Sequence, residues 1–214
     1  MEKLGYDRLV KKLYVHSVGK LQITQIPALR YAMTDGRGDP KAHPEFREAA
    51  DSLFLISHAV KALAGKDTRT YGYFPCHVNV LEGLWNLPDG ETFDVSRKDR
   101  LLWTLMIMQP PFVTPELFSD ALFRLRRRKP DNPMLQRLRL ETLDEGLCCQ
   151  ATHIGPFDNE PATFALMSQF TETSGYRRAQ KGHHEVYISD YRRNPPENLK
   201  TLLRFRVEPR QPIV

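Results

Sequence analysis

Apolar residues recur along this chain in two rhythms, one helical and one alternating, and the order of those rhythms repeats. After a basic amphipathic lead-in from Tyr6 to Tyr14, residues 20–33 are rich in Ile, Leu, Tyr and Met and predict a strand. Gly36, Gly38, Asp39 and Pro40 punctuate the chain. Pro44 then opens a helix on which Phe46, Ala49, Ala50, Leu53, Ile56, Ser57, Val60 and Leu63 keep helical spacing. Gly65 marks its expected end. Residues 71–85 predict a second strand, Asp89-Gly90 a polar loop, and Leu101 to Met108 a third strand. That third strand is apolar on both faces, so a helix should cover one side and the other half of the chain the opposite side.

The second half repeats the order. Residues 137–153 predict a strand and Gly155-Pro156 a turn. Asp158 or Asn159 then caps a helix with Phe164, Met167 and Phe170 on one face. Gly175 ends that helix, residues 183–190 form the next strand, and Leu199 to Val207 the last, after a Pro195-Pro196 loop. Between the halves, Thr114-Pro115-Glu116 starts an extra helix with Leu117, Phe118, Ala121, Leu122 and Leu125 on its apolar side. The expected architecture is α+β: two strand-helix-strand-strand modules forming antiparallel sheets backed by helices, with a groove between the halves. The whole of 1–214 reads as a single domain, with a first module at about 20–110, a linking helix at 114–129 and a second module at about 137–208.

The strand His183-His184-Glu185-Val186-Tyr187-Ile188-Ser189-Asp190 carries the strongest chemical signal. Alternation puts Val186 and Ile188 on one face and Glu185, Tyr187 and Ser189 on the other. A carboxylate beside an aromatic ring in mid-strand is costly to bury unless a partner meets it. Taken alone, such a glutamate is an ordinary structural residue. A similar feature recurs in Leu81-Glu82-Gly83-Leu84-Trp85, however, and two such strands suggest a groove shared by the halves. Glu82 and Trp85 are three apart, so a regular strand separates their faces; a bulge at Gly83 would bring them together.

Composition narrows the function classes. The 41% apolar and 27% charged content is that of an ordinary globular protein, and no apolar run reaches membrane-spanning length. Three cysteines, two of them adjacent, give neither a disulfide framework nor a Cys-x-x-Cys metal site, and point to the cytoplasm. The net charge of +5 is spread along the chain, apart from a dense run at Arg124 to Lys129 that complements a helix C-terminus. With no zinc-finger spacing, phosphate loop or aromatic-basic RNA motif, nucleic acid is not the expected partner. No His/Cys/Asp set has ligand spacing, and His183 and His184, as strand neighbours, cannot both enter one site; no metal or cofactor is expected. Cys148 and Cys149 read as packed strand residues rather than nucleophiles.

Trp85, Trp103, Tyr187, Tyr71, Tyr73 and Phe112 read singly as core. As a set they share elements with Glu82 and Glu185, and an aromatic box with an acid binds flat or cationic ligands by stacking and cation–π attraction. A glutamate in such a cavity has a raised pKa and is fit for acid or base work.

Several segments together resemble the GyrI-like small-molecule-binding proteins of the stand-alone bacterial type. They are Gly36-Arg37-Gly38-Asp39-Pro40, LEGLW at 81–85, Trp103 through Gln109-Pro110 to Phe112-Val113-Thr114, HIGPFDNEPATF at 153–164, HHEVYISD at 183–190 and NLKTLLRFRV at 198–207. The resemblance spans nearly the full length. It implies the duplicated fold, a ligand groove between the halves, and binding of hydrophobic, often aromatic or cationic compounds. It maps the ligand-facing glutamate onto Glu185 and, pseudo-symmetrically, Glu82, with Trp85, Trp103 and Tyr187 as cage candidates; Phe112 and Tyr71, from the aromatic set, complete the expected ligand-binding residues. It implies hydrolysis of cyclopropane-bearing DNA-alkylating compounds, with Glu185 and Glu82 as the catalytic candidates; the alternative is non-catalytic sequestration or a protein-interaction role of the gyrase-inhibitor kind. Phe157 stands where family members often carry tyrosine, and any hydrogen bond made by that hydroxyl is lost here.

Overall fold

Proline 27 divides the first predicted strand. A residue without a backbone N–H cannot donate to a central ladder, and in the computed structural model residues 20–33 give two strands, β1 (Gln22–Ile26) and β2 (Leu29–Arg37). The structure describes residues 2–15, 17–66, 70–88 and 97–210. The lead-in is a helix, α1 (Lys3–Tyr14), and the Pro44 helix is α2 (Glu45–Lys66). Strands β3 (Glu82–Asn86) and β4 (Leu102–Met108) complete the first half. The linking helix is α3 (Pro115–Arg128), capped by Thr114 through its side chain. The second half contains β5 (Arg139–Leu143), β6 (Gly146–Ile154), α4 (Glu160–Thr173), β7 (Tyr176–Arg178), β8 (His183–Tyr187) and β9 (Lys200–Pro209).

Several expected boundaries move for local reasons. The predicted strand 137–153 is likewise two strands, parted by a turn in which Gly146 takes a positive φ of 65°. The stretch expected to be strand from residue 71 is irregular up to Leu81. Gly65 does not cap α2, which runs on to Lys66; a side chain there would meet the Tyr73 hydroxyl at 2.7 Å. Asp89-Gly90 lies outside the described residues.

The two modules do not face one another; their sheets join edge to edge into one antiparallel sheet. The strand order is β1-β6-β9-β8-β3-β4-β2-β5, with β7 added to β9. This order is symmetric about the β3–β8 seam, since β6-β9-β8 mirrors β2-β4-β3. Each module's leading strand crosses over: β1 pairs with β6, and β5 with β2. The exchange ties the halves together at both edges as well as at the seam.

Helices α2 and α4 lie on the same face. Phe46 of α2 packs on Trp85 and Trp103, while Phe164 of α4 packs on His183 and Phe205. Trp85 pairs across strands with both Trp103 and His183, which places all four contacts on one side of the sheet. Trp103 fits there because its β2 partner is Gly36: a Cβ at that position would sit 1.9 Å from the indole ring.

The other face is closed by α1 over a buried ionic network. Glu82 accepts from the Tyr14 hydroxyl at 2.5 Å and lies 2.9 Å from His184 Nε2. His184 Nδ1 meets Glu145 at 3.0 Å, and Arg204, fully buried, donates to Glu145 at 2.9 Å and to Gln150 and the Leu13 carbonyl. Burial alone pushes the His184 pKa down, but Glu145 and Glu82 outweigh it and raise it to about 9. Burial pushes Glu145 up, and His184 and Arg204 overcome that, bringing it down to about 2.

Two outcomes are expected. Gly36→Ala should cost about 1–3 kcal/mol in urea denaturation, the range for overpacking a filled core, because the Trp103 ring has to shift. The His184 pKa is raised on folding, so its contribution is complete below about 6.5 and is lost as pH rises to about 9. Glu145 is depressed, so its contribution is complete above 4.5 and is lost as pH falls toward about 2. Urea midpoints should fall through the alkaline window, and His184→Gln should flatten that fall; a wild-type midpoint level across it would show that the network carries no such charge.

Candidate functional site

On the helix-covered face, the gap between α2 and α4 leaves the centre of the sheet accessible through a cavity of about 690 Å³. Its walls are aromatic: Phe46 from α2, Trp85 from β3, Tyr187 from β8, Phe157 from the turn before α4, and Tyr191. Phe46 stacks on Trp85 with centroids 5.8 Å apart and planes 24° from parallel. Phe157 meets Tyr187 edge-on at 5.8 Å. Trp85 Nε1 donates to the Tyr187 hydroxyl at 3.0 Å, so the buried polar tips of both rings are satisfied and their orientation is set.

Gly83 makes that pairing possible in a way the sequence did not reveal. A Cβ there would lie 2.9 Å from the Tyr187 hydroxyl and 3.0 Å from Trp85 Nε1, so the Trp–Tyr hydrogen bond lies across the bare backbone. No bulge forms: Glu82 to Asn86 pair with β4 without interruption. Glu82 and Trp85 therefore stay on opposite faces. Glu185 pairs across the seam with Gly83, and Glu82 with Val186. Glu82 is thus neither in the cavity nor the positional twin of Glu185; it belongs to the closed network beneath α1.

The remaining sequence candidates separate in the same way. Glu185, Trp85 and Tyr187 come together in the cavity. Trp103 is buried on the same face but behind Phe46, outside the lining. Phe112 packs with Tyr73 and Phe74 in a different part of the core. Tyr71 is 98% exposed and cannot form a wall.

The acid that sequence reasoning missed is Glu160. It opens α4 inside the HIGPFDNEPATF stretch, where an acidic residue reads as an exposed partner of the helix dipole. The fold instead turns it inward against Glu185, and it is only 4% exposed. Burial, then the Glu185 charge and a hydrogen bond shared with Glu185, hold its pKa well above the carboxylate range, although Thr201 and the dipole favour ionisation. Glu160 is among the cavity's lining residues, and its Oε1 is buried with no hydrogen-bond partner.

His183 completes the floor from behind. Its Nε2 lies 2.7 Å from Glu185 Oε1, and burial, acting against Glu185, lowers its pKa so that the ring is neutral and donates. One ligand atom each from Glu160, His183 and Glu185 falls within 4.8 Å of the others, the one such cluster among the described residues. At 2.7 Å the His183–Glu185 contact is a hydrogen bond, so in this structure the two side chains partner each other. Cys148 and Cys149 are buried thiols whose pKa values burial pushes up, to about 12 for Cys148, which bears out their packing role.

The cavity mouth is held by ion pairs between the modules. Lys98 and Lys41 reach Asp158 at 2.7 and 3.5 Å, and Arg192 reaches Asp51 at 3.0 Å. These groups are largely exposed, and each such pair is worth at most about 1 kcal/mol.

Glu160 should be a stability liability, with a definite sign. Its pKa is raised on folding, so its contribution is full below 4.5 and becomes a growing penalty as pH rises toward the folded-state value. Glu160→Gln should therefore raise the unfolding free energy measured in urea, by about 1.4 kcal/mol for each pH unit above 4.5 until that value is reached. Equal stability of the two proteins at all pH values would show that Glu160 is not held protonated.

Comparison with solved structures places this geometry among known folds. A conserved protein from Listeria innocua superposes with a TM-score of 0.85 at 37% identity, covering 95% of this chain and 98% of that one. A Listeria innocua structure described as a hydrolase gives 0.82 at 36% identity, with the same coverage. The C-terminal domain of EcmrR shares the fold at a TM-score of 0.54 and 12% identity, over 89% of this chain and 98% of that one. Comparison with curated proteins found no match. The GyrI-like small molecule binding domain matches residues 20–208, nearly the whole chain, and the protein belongs to that family.

Proposed function

We propose that this protein binds flat hydrophobic molecules in the aromatic cavity and hydrolyses electrophilic ones, cyclopropane-bearing alkylating compounds above all. The observation that carries the reading is the placement of a buried Glu160–Glu185 pair beneath the Phe46, Trp85, Phe157 and Tyr187 walls. The similarity to Listeria innocua proteins described as hydrolases supports it. The cavity has the size and apolar lining of a small-molecule site. Cys76, Cys148 and Cys149, all free thiols, fit a cytoplasmic setting.

The chemistry follows from two acids in different states. When water attacks the strained ring carbon of a conjugated cyclopropane, the carbon–carbon bond breaks and its electron pair moves toward the conjugated carbonyl. Glu185, fixed by His183, takes the proton that the water loses. Glu160, which holds a proton, supplies one to the carbonyl oxygen as charge builds there. The product is the substrate plus one water. The aromatic walls contribute position, holding a flat ligand over the pair.

Incubation with a cyclopropane-bearing alkylator should yield a product heavier by one water. Glu185→Gln should cut turnover by about 10²–10⁴-fold, the usual loss for an acid/base group, with little change in binding of a neutral substrate. Trp85→Ala should weaken binding about tenfold and lower turnover with it. A protein that binds the compound and returns it unhydrated would instead be a sequestering protein.

A further inference from the structure

We propose that the Glu160–Glu185 pair makes the groove a proton-for-cation exchange site: an aromatic monocation binds by displacing the single proton that the two carboxyls share, whereas a neutral ligand of the same shape leaves that proton in place. The inference rests on the reading of the groove as a small-molecule site and adds how the proton on the pair couples to the binding of a cation.

The geometry carries the argument. Two carboxyl groups in contact, both nearly solvent-free, cannot both be ionised without a positive charge between them. The surrounding elements do not supply that charge. On β8, His183 is neutral and already committed to Glu185, and the Tyr187 phenol, its pKa raised by burial, stays protonated. On β9 the neighbour is Thr201, which carries no charge. From β7, Arg178 stands behind His183, over the Phe205 ring and bonded to the carbonyls of residues 180–182. Across the sheet, His184 and Arg204 are taken up by Glu82 and Glu145.

The nearest charges at the mouth are also occupied. Asp158 adds negative potential toward Glu160 and is itself engaged by Lys98 and Lys41. Arg192 is held by Asp190 and Asp51, while Arg47, on α2, lines the cavity but is largely exposed and lies 3.9 Å from Asp51. A proton therefore stands where a cation would. The cavity reaches both acids, and the π faces of Trp85 and Phe46 offer a larger cation contacts that a proton cannot use. The exchange is balanced: protonated pair plus ligand cation gives the ion-paired complex, and one proton passes to solvent.

Calorimetric titration of the full chain with N-methylacridinium, in buffers of different ionisation enthalpy, counts that proton directly. About one proton should leave per cation bound, and Kd should fall about tenfold per pH unit while Glu160 remains protonated in the free protein. Acridine, kept neutral at the alkaline end of the range, should bind with no proton release. Glu160→Gln, which keeps the shape but holds no exchangeable proton, should bind the cation with a Kd independent of pH and release close to none. Cation binding without proton release in the wild-type protein overturns the proposal, as does release that persists in Glu160→Gln. Release that vanishes after chelator treatment also overturns it, because the displaced species would then be a metal ion. If neither acridine nor its cation binds at all, it is the groove reading that fails, and this inference falls with it.

Discussion

The antiparallel seam between β3 and β8 is the constraint on which the rest of the structure depends. It joins the two modules edge to edge, and its register decides which face every central side chain occupies. With Gly83 opposite Glu185 and Glu82 opposite Val186, one glutamate faces the cavity and the other faces α1. A slip of one residue would put both on the same face. The strand exchange at the edges, β1 onto β6 and β5 onto β2, resists such a slip, because shifting the seam would strain ladders at both ends of the sheet.

Bare backbone governs where the large rings lie. Gly36 sits beneath the Trp103 indole and Gly83 beneath the Trp85–Tyr187 hydrogen bond. In a twisted sheet, cross-strand neighbours lie about 5 Å apart, so a flat ring can lie along the surface only where an adjacent Cβ is missing. The aromatic floor is therefore a property of the glycines as much as of the tryptophans. The helices then decide which rings stay open: α2 covers Trp103 with Phe46 and leaves Trp85 exposed to the cavity.

Alternation within β8 made the inward face of Glu185 and Tyr187 legible from the sequence, and the repeated order of elements made the duplication legible. What stayed hidden depended on contacts between distant segments. A bulge at Gly83 was a reasonable account of a glycine between Glu82 and Trp85, but the glycine answers to Tyr187, about a hundred residues away. Phe112 and Tyr71 share neither strand nor face with the cavity, and proximity in the chain to Trp103 or Tyr73 carried no information about that. Glu160 looked like an ordinary first-turn acid because helix starts attract acids for local reasons; only the packing of α4 against β8 turns it inward. Phe46 was legible as core but not as cavity wall, since nothing local tells a helix residue at the edge of a gap from one beneath a neighbour.

The two faces of the sheet treat buried carboxylates in opposite ways, and the contrast separates structure from function. Beneath α1, Glu82 and Glu145 are met by His184, Arg204 and Tyr14, so that each charge has a counter-charge or donor within 3.0 Å. Opposite charges inside such a network offset much of its cost of burial. On the opposite face, Glu160 has other carboxylates, Glu185 and Asp158, as its chief charged neighbours. A fold selected for stability alone would have placed glutamine or an apolar residue there. A like-charge pair tolerated at the floor of the cavity between the helices is a cost in stability that the fold carries at this place.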